Sequence, residues 1–151
     1  MKAKTAMTRD IVCLNPEDSI ASAYQLMTKW GIRHIPIIED TTIIGILSDR
    51  DILVRSHLGE FGLSVPDIPV ADAMTENPIT CSPETPVATM VDLMLEHKID
   101  SLPIVNHQGM LVGLVTSSDL LEVLRVQDQE YYCSTIPLTF TLRQGAARLS
   151  G

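Results

Sequence analysis

The sequence predicts an α+β fold made of two β-α-β-β-α units that close on each other. Three observations predict it. Residues 6–44 and 73–111 are identical at 11 of 39 positions at one constant offset of 67. The stretch Ile32–Asp51 recurs as Ile99–Asp119: a proline inside a short apolar run, an apolar run broken by one glycine, then a hydroxyl residue with an aspartate three positions on. In each copy a helical spacing of apolar residues gives way to β-branched and aliphatic runs of strand length. A unit of roughly 50 residues buries too little surface by itself, so pairing of the two halves is physically favoured.

In the first copy, residues 1–10 form a leader and Ile11-Val12-Cys13-Leu14 reads as a short strand or extended arm ended by Pro16. Asp18 is placed to cap a helix whose apolar face carries Ile20, Ala23, Tyr24 and Met27. Gly31 falls where such a helix stops, in the position glycine favours. His34–Ile38 and Ile43–Leu47 read as strands joined by a turn over 39–42. Ser48 then caps a short helix from Asp49 to about His57.

The second copy repeats the order. Thr85 is placed to cap, with Pro86 at the first helical position, where its missing N–H costs nothing. Val87, Met90, Val91 and Met94 carry the helical face. Leu102–Val105 and Met110–Val115 read as strands around a turn at His107-Gln108-Gly109, and Thr116 caps a helix from Ser117 to about Gln127. Leu58–Val70, with Gly59, Gly62, Pro66 and Pro69, reads as a linker. The expected organisation is therefore a first repeat at 3–57, a linker at 58–70, a second repeat at 71–127, and a C-terminal arm or frayed tail at 128–151, in which Thr135–Leu142 could form one strand.

Composition narrows the function classes. Hydrophobic residues make up 45% and aromatics only 4%, so the core is built from Ile, Leu, Val, Met and Ala. The net charge of −8 argues against a general nucleic-acid or anionic-membrane surface. No apolar run approaches bilayer length, and the basic N-terminus lacks the apolar region of a signal peptide. The three cysteines, Cys13, Cys81 and Cys133, are widely spaced and odd in number, which points to a reducing, cytoplasmic setting. Cys13 and Cys81 read as small buried hydrophobes, and His57, His97 and His107 read as surface histidines with no ligand spacing. There is no Walker loop, no G-x-G-x-x-G and no acid/base cluster, so no catalysis, catalytic cofactor or metal is expected.

The chemistry lies in the repeated hydroxyl–aspartate pairs, Ser48 with Asp51 and Thr116 with Asp119. One reading is purely structural: a capping box at each helix start. The other adds a ligand. A helix N-terminus favours negative charge, and a carboxylate one turn in can accept hydrogen bonds from a ribose diol while it would repel a phosphate. Pro36 and Pro103 each remove a donor from a strand, which suits an edge or a bulge and could leave an edge open beside a cleft. On the residues alone a nucleoside phosphate is one candidate among several.

The ordered set, occurring twice, resembles a tandem pair of CBS domains, the family named after cystathionine beta-synthase and often called a Bateman module. The resemblance rests on Met-Thr opening each copy, on Ile32-Arg33-His34-Ile35-Pro36 and Ile99-Asp100-Ser101-Leu102-Pro103, and on the terminal Gly-x-x-Ser/Thr-x-x-Asp. It implies a pseudo-twofold axis through the two sheets and two clefts that bind adenosine nucleotides. It places the ribose on Ser48 and Asp51, and on Thr116 and Asp119. It frames the base with His34, Ile35, Ser101 and Leu102, and with Ile11 and Val12, Pro78 and Ile79. Basic residues near the first motif are Arg33, His34 and Arg50; the matching positions hold Asp100, Ser101 and Ser118, with Lys98 nearby. The clefts are therefore expected to be unequal, with the Ser48–Asp51 cleft the better one for a charged ligand.

Two functions follow. One is a free-standing regulatory module that senses AMP, ADP or ATP and passes the signal to an unidentified protein partner. The other is a dimerisation or interaction module in which the hydroxyl–aspartate pairs serve as caps. The resemblance also implies a homodimer arranged as a four-repeat disc, with Ile52, Leu53, Leu120, Leu121 and Leu124 as candidate contact residues.

Overall fold

Helix α2 (Ile20–Trp30) buries Ile20, Ala23 and Met27, the face its spacing predicts, and stops at Gly31, whose φ of 63° is left-handed. These features come from a computed structural model that describes residues 1–135, with side chains through residue 128. The other elements, in order, are α1 (Ala3–Ala6), β1 (His34–Glu39), β2 (Thr42–Ser48), α3 (Asp49–Leu53), β3 (His57–Gly59), β4 (Gly62–Ser64), β5 (Thr75–Glu76), α4 (Val87–His97), β6 (Ser101–Val105), β7 (Leu111–Thr116) and α5 (Ser117–Thr135). A 3-10 turn covers Val70–Asp72.

The fold is α+β with two related halves. Strands β1 and β2 pair antiparallel, with His34 opposite Ser48. β6 and β7 pair in the same way, with Ser101 opposite Thr116. Both pairs carry a register shift at the equivalent place, between Ile37 and Ile38 and between Ile104 and Val105. An antiparallel bridge from Thr42 at the start of β2 to Met110 just before β7 joins the two strand pairs.

Each half completes its sheet with a segment that precedes the other half in sequence. Thr8 exchanges two backbone hydrogen bonds with Leu114 on β7, of 2.9 and 3.0 Å. β5 pairs with β2 through Thr75 opposite Ile46. The apolar cores follow the same exchange. Ile20, Ile35, Ile37, Leu47 and Ile52 pack with Val70 and Ala73, whereas Leu102, Ile104, Met90 and Val115 pack with Ala3 and Met7. The N-terminal leader is thus part of the second core, held also by Ala3 N–H to the Thr85 carbonyl at 2.8 Å.

Several sequence expectations are corrected. Ser19, not Asp18, caps α2 by accepting from the Ser22 N–H, while Asp18 closes the preceding turn by accepting from the Asn15 N–H at 2.8 Å. Thr85 does not cap α4: its hydroxyl accepts from the Ser82 N–H, and extended Pro86 stands at the cap position, outside the helix. Helix α3 ends at Leu53 and not near His57, because the Val54–Ser56 turn follows and His57 opens a hairpin. The expected linker holds all but His57 of that hairpin, β3–β4, whose two-residue turn at Glu60-Phe61 leads into Gly62 with φ 106°. Helix α5 continues to Thr135, beyond the expected end at Gln127. Ile52 and Leu120 pack into their own cores, leaving Leu53, Leu121 and Leu124 exposed. The expected strand at 135–142 lies, apart from Thr135, outside the described residues.

The prolines do not leave an open edge. Leu14 lies parallel to β1, donating to the Pro36 carbonyl at 3.1 Å and accepting from Ile38 N–H at 2.9 Å. Cys81 does the same beside Pro103 and Val105, at 3.0 and 2.9 Å. The missing proline N–H costs nothing there, because the neighbouring arm uses the proline carbonyl and the N–H two residues further on. Burial pushes the Cys13 and Cys81 thiols up, as expected of packing residues. Among the described residues no helix is long and apolar enough to cross a membrane.

Candidate functional site

Two clefts, of about 420 and 400 Å³, open where the repeated hydroxyl–aspartate pairs begin α3 and α5. Both volumes fall within the range of roughly 300–1,000 Å³ usual for small-molecule sites. The Ser48 cleft contains Ser48, Asp51, Arg50, Thr75, Lys98 and Ser101. The Thr116 cleft contains Thr116, Asp119, Ile11, Val12, Thr8 and Trp30. Arg33 and His34 line both.

Each pair forms its cap and retains bonding capacity. At α3 the Asp51 N–H donates to the Ser48 hydroxyl at 3.2 Å, and Asp51 Oδ2 accepts from the Ser48 N–H at 2.8 Å. At α5, Asp119 Oδ2 accepts from the Thr116 N–H at 2.8 Å and from its hydroxyl at 2.9 Å. The capping reading of the sequence is therefore real in both copies. In each aspartate the bonds fall on Oδ2, leaving Oδ1 without a hydrogen-bond partner among the described residues. The copies differ in one proton. The Thr116 hydroxyl donates to Asp119, whereas the Ser48 hydroxyl only accepts and keeps its proton for a further acceptor.

The electrostatics of the clefts are unequal. The Ser48 cleft holds Arg50 and Lys98 beside Asp49, Asp51 and Asp100. The Thr116 cleft has Asp10 and Asp119, with Ser118 in the place of Arg50. Burial pushes the His34 imidazole below its ordinary value of 6.5; Asp100 and Asp49 oppose this, Arg33 adds to it, and Asp51 opposes it again. The His34 ring is thus held toward its neutral form between the two clefts.

The structure does not bring all the sequence-selected residues to the clefts. Ile35 and Pro36 of β1 and Leu102 and Pro103 of β6 are fully buried and line neither cleft. Ile79 packs against the second core, and neither it nor Pro78 lines either cleft. Sequence reasoning passed over Thr8, Asp10, Trp30 and Thr75 as cleft residues. The signal for Thr8 and Thr75 was present in the repeated Met-Thr, which the exchange of segments carries across to the partner half. Trp30 carries no repeated counterpart, since His97 stands at the matching position. No group of His, Cys, Asp and Glu able to hold a metal occurs among the described residues.

Two exchanged halves with paired clefts at capped helix starts define a tandem regulatory module. The chain belongs to the CBS domain family, which it matches over residues 3–57 and 70–126. It is 33% identical over 118 residues to the CBS domain-containing protein YhcV of Bacillus subtilis, covering 78% of this chain and 81% of that one. It is 35% identical over 119 residues to the inosine-5'-monophosphate dehydrogenase of Korarchaeum cryptofilum; the match takes in 79% of this chain but spans only 23% of the dehydrogenase. Among solved structures it is similar to CBSX2 in complex with AMP, with a TM-score of 0.70 and 25% identity, over 83% of this chain and 98% of that one. CBS pairs are regulatory modules and not catalysts.

Proposed function

We propose that this CBS pair binds an adenosine nucleotide, AMP, ADP or ATP, in its two clefts and relays occupancy to a partner protein. The observation that carries the reading is the free Oδ1 of Asp51 and of Asp119, each on a capped helix start at a cleft of nucleoside size. A carboxylate fixed by its other oxygen is pre-oriented to accept from two ribose hydroxyls, and fixing it beforehand lowers the ordering cost of binding. Ile11, Val12, Ile32 and Leu114 supply an apolar wall for a base in the Thr116 cleft. Ile99 and Ile46 take the places of Ile32 and Leu114 in the Ser48 cleft. The Ser48 cleft, with Arg50 and Lys98, is the better one for phosphate. The AMP complex of CBSX2 supports the choice of ligand class.

The relay is assigned to a homodimer of four repeats, because Leu53 and Val54 at the end of α3 and Leu121 and Leu124 on α5 expose apolar surface. Calorimetric titration with AMP, ADP and ATP tests the binding reading. Micromolar binding that is lost stepwise in Asp51→Ala and Asp119→Ala is the expected result. Silence from all three nucleotides would overturn it and leave an interaction module. Light scattering of Leu121→Glu should show a monomer where the natural chain is a dimer; an unchanged mass would count against the α5 contact.

A further inference from the structure

Arg33 and His34 are the residues through which the two clefts touch. They lead into β1 and stand between Gly31 and the buried Ile35. Their counterparts in the second repeat, Asp100 and Ser101, line the Ser48 cleft but not the Thr116 cleft. The wall is therefore shared in one direction only.

The cation count makes this sharing consequential. The Ser48 cleft has Arg50 and Lys98 of its own. Among the described residues lining the Thr116 cleft, Arg33 is the one permanently charged cation, set against Asp10 and Asp119. Without Arg33 that cleft presents two acids and a half-buried imidazole to a phosphate. The Arg33 side chain is exposed, and among the described residues its guanidinium makes no hydrogen bond or ion pair. A long, unanchored guanidinium can turn to whichever cleft carries the greater negative charge.

We propose that the two clefts compete for Arg33, so that a phosphorylated nucleotide bound in the Ser48 cleft lowers the affinity of the Thr116 cleft for a second one. Adenosine, which carries no phosphate, fills both clefts without interference. The effect is reciprocal, since a coupling free energy between two sites acts equally on both. This inference rests on the nucleotide reading above and adds to it a regulation: the charge of the first ligand selects the class of the second.

Titration of the full chain with adenosine and with AMP tests it, using the natural chain, Asp51→Ala, Arg33→Ala and the double variant. Adenosine should bind both clefts with no interaction between them. AMP should bind in two steps whose site affinities differ by about tenfold or more, within the usual range of such couplings. In Asp51→Ala the Thr116 cleft, relieved of its competitor, should bind AMP about tenfold more tightly than in the second step of the natural chain. In Arg33→Ala, blocking the Ser48 cleft should bring no such gain. Should Asp51→Ala melt early, Asp51→Asn keeps an acceptor for the cap and serves in its place. Two equal AMP sites, or a Thr116 cleft whose AMP affinity ignores the state of the Ser48 cleft, would overturn the competition and leave the nucleotide reading standing. Absence of binding by both adenosine and AMP would overturn the two together.

Discussion

Met7 fills the hollow that Gly113 leaves on β7. A Cβ on Gly113 would collide with the Met7 sulfur and meet its Cγ at 2.9 Å and its Cβ at 3.1 Å. Met74 stands over Gly45 in the same way, with its Cγ at 2.9 Å and the Thr75 carbonyl at 3.1 Å from such a Cβ. The repeated Met-Thr and the repeated glycine are thus two halves of one contact, made between repeats and not within them. The contact pins the exchanged segments, which in turn bring Thr8 and Thr75 to the clefts.

Gly113→Ala and Gly45→Ala should each destabilise the protein by about 1–3 kcal/mol, the usual cost of overpacking. Urea unfolding of both variants measures this. A midpoint equal to that of the natural chain would show that the methionine moves aside freely.

Ser48→Ala removes the acceptor for the Asp51 N–H and should cost about 1 kcal/mol, as loss of a helix cap does. Thr116→Ala should cost as much or more, because Asp119 Oδ2 also loses the hydroxyl donor. Denaturant midpoints in the absence of nucleotide report this part alone.

His34 gives stability a sign with pH. Its value in the folded protein lies below the ordinary 6.5, so the unfolded chain binds more protons. Its contribution is present above 6.5 and is lost as pH falls through the depressed value. The natural chain should therefore lose more stability than His34→Gln between about pH 7.5 and about pH 5.5. Parallel slopes for the two proteins would remove His34 as the cause.

Glu84 accepts from Lys2 at 2.6 Å and Lys4 at 2.7 Å, and these bonds hold its carboxyl down to about 2 from 4.5. The bracing of the N-terminal segment is then present above pH 4.5 and lost as pH falls through about 2. Carboxyl carbon NMR should show that low midpoint, returning toward 4.5 when both lysines are changed to alanine. The pair is exposed, so little change in global stability is expected.

Trp30 is the single tryptophan of the chain, is 61% exposed, and lines the Thr116 cleft alone. Its fluorescence should respond to nucleotide in the natural chain and in Asp51→Ala, and fall silent in Asp119→Ala. A response retained in Asp119→Ala and lost in Asp51→Ala would reverse the assignment of the clefts.

Much of this was legible beforehand because it is local. The α2 and α4 faces, the left-handed stop at Gly31 and the Ser48 cap all depend on residues within about two turns of each other. Corrections came where neighbours compete for one role. Asp18 and Ser19 are adjacent, and the turn at Asn15 claims the aspartate. The hairpin at 57–64 is not legible in the sequence because its strands are three residues each and exposed throughout, so no burial pattern marks them. Among site residues, Ile35, Pro36, Leu102 and Pro103 share a motif with cleft residues but lie in strands covered on both faces, where burial runs over consecutive residues and no alternation marks it.

By itself, the sequence determined that there are two copies of one α+β unit, that each ends in a hydroxyl–aspartate cap, and that the core is aliphatic. These follow from periodicity and from contacts a few residues apart. Only the tertiary structure decided that the Met-Thr segments exchange between halves and that Arg33 and His34 stand in both clefts. The reason is that a repeat aligned on itself cannot show which copy completes which sheet: either pairing satisfies the same backbone bonds, and packing of Met7 on Gly113 and Met74 on Gly45 joins each segment to the opposite half.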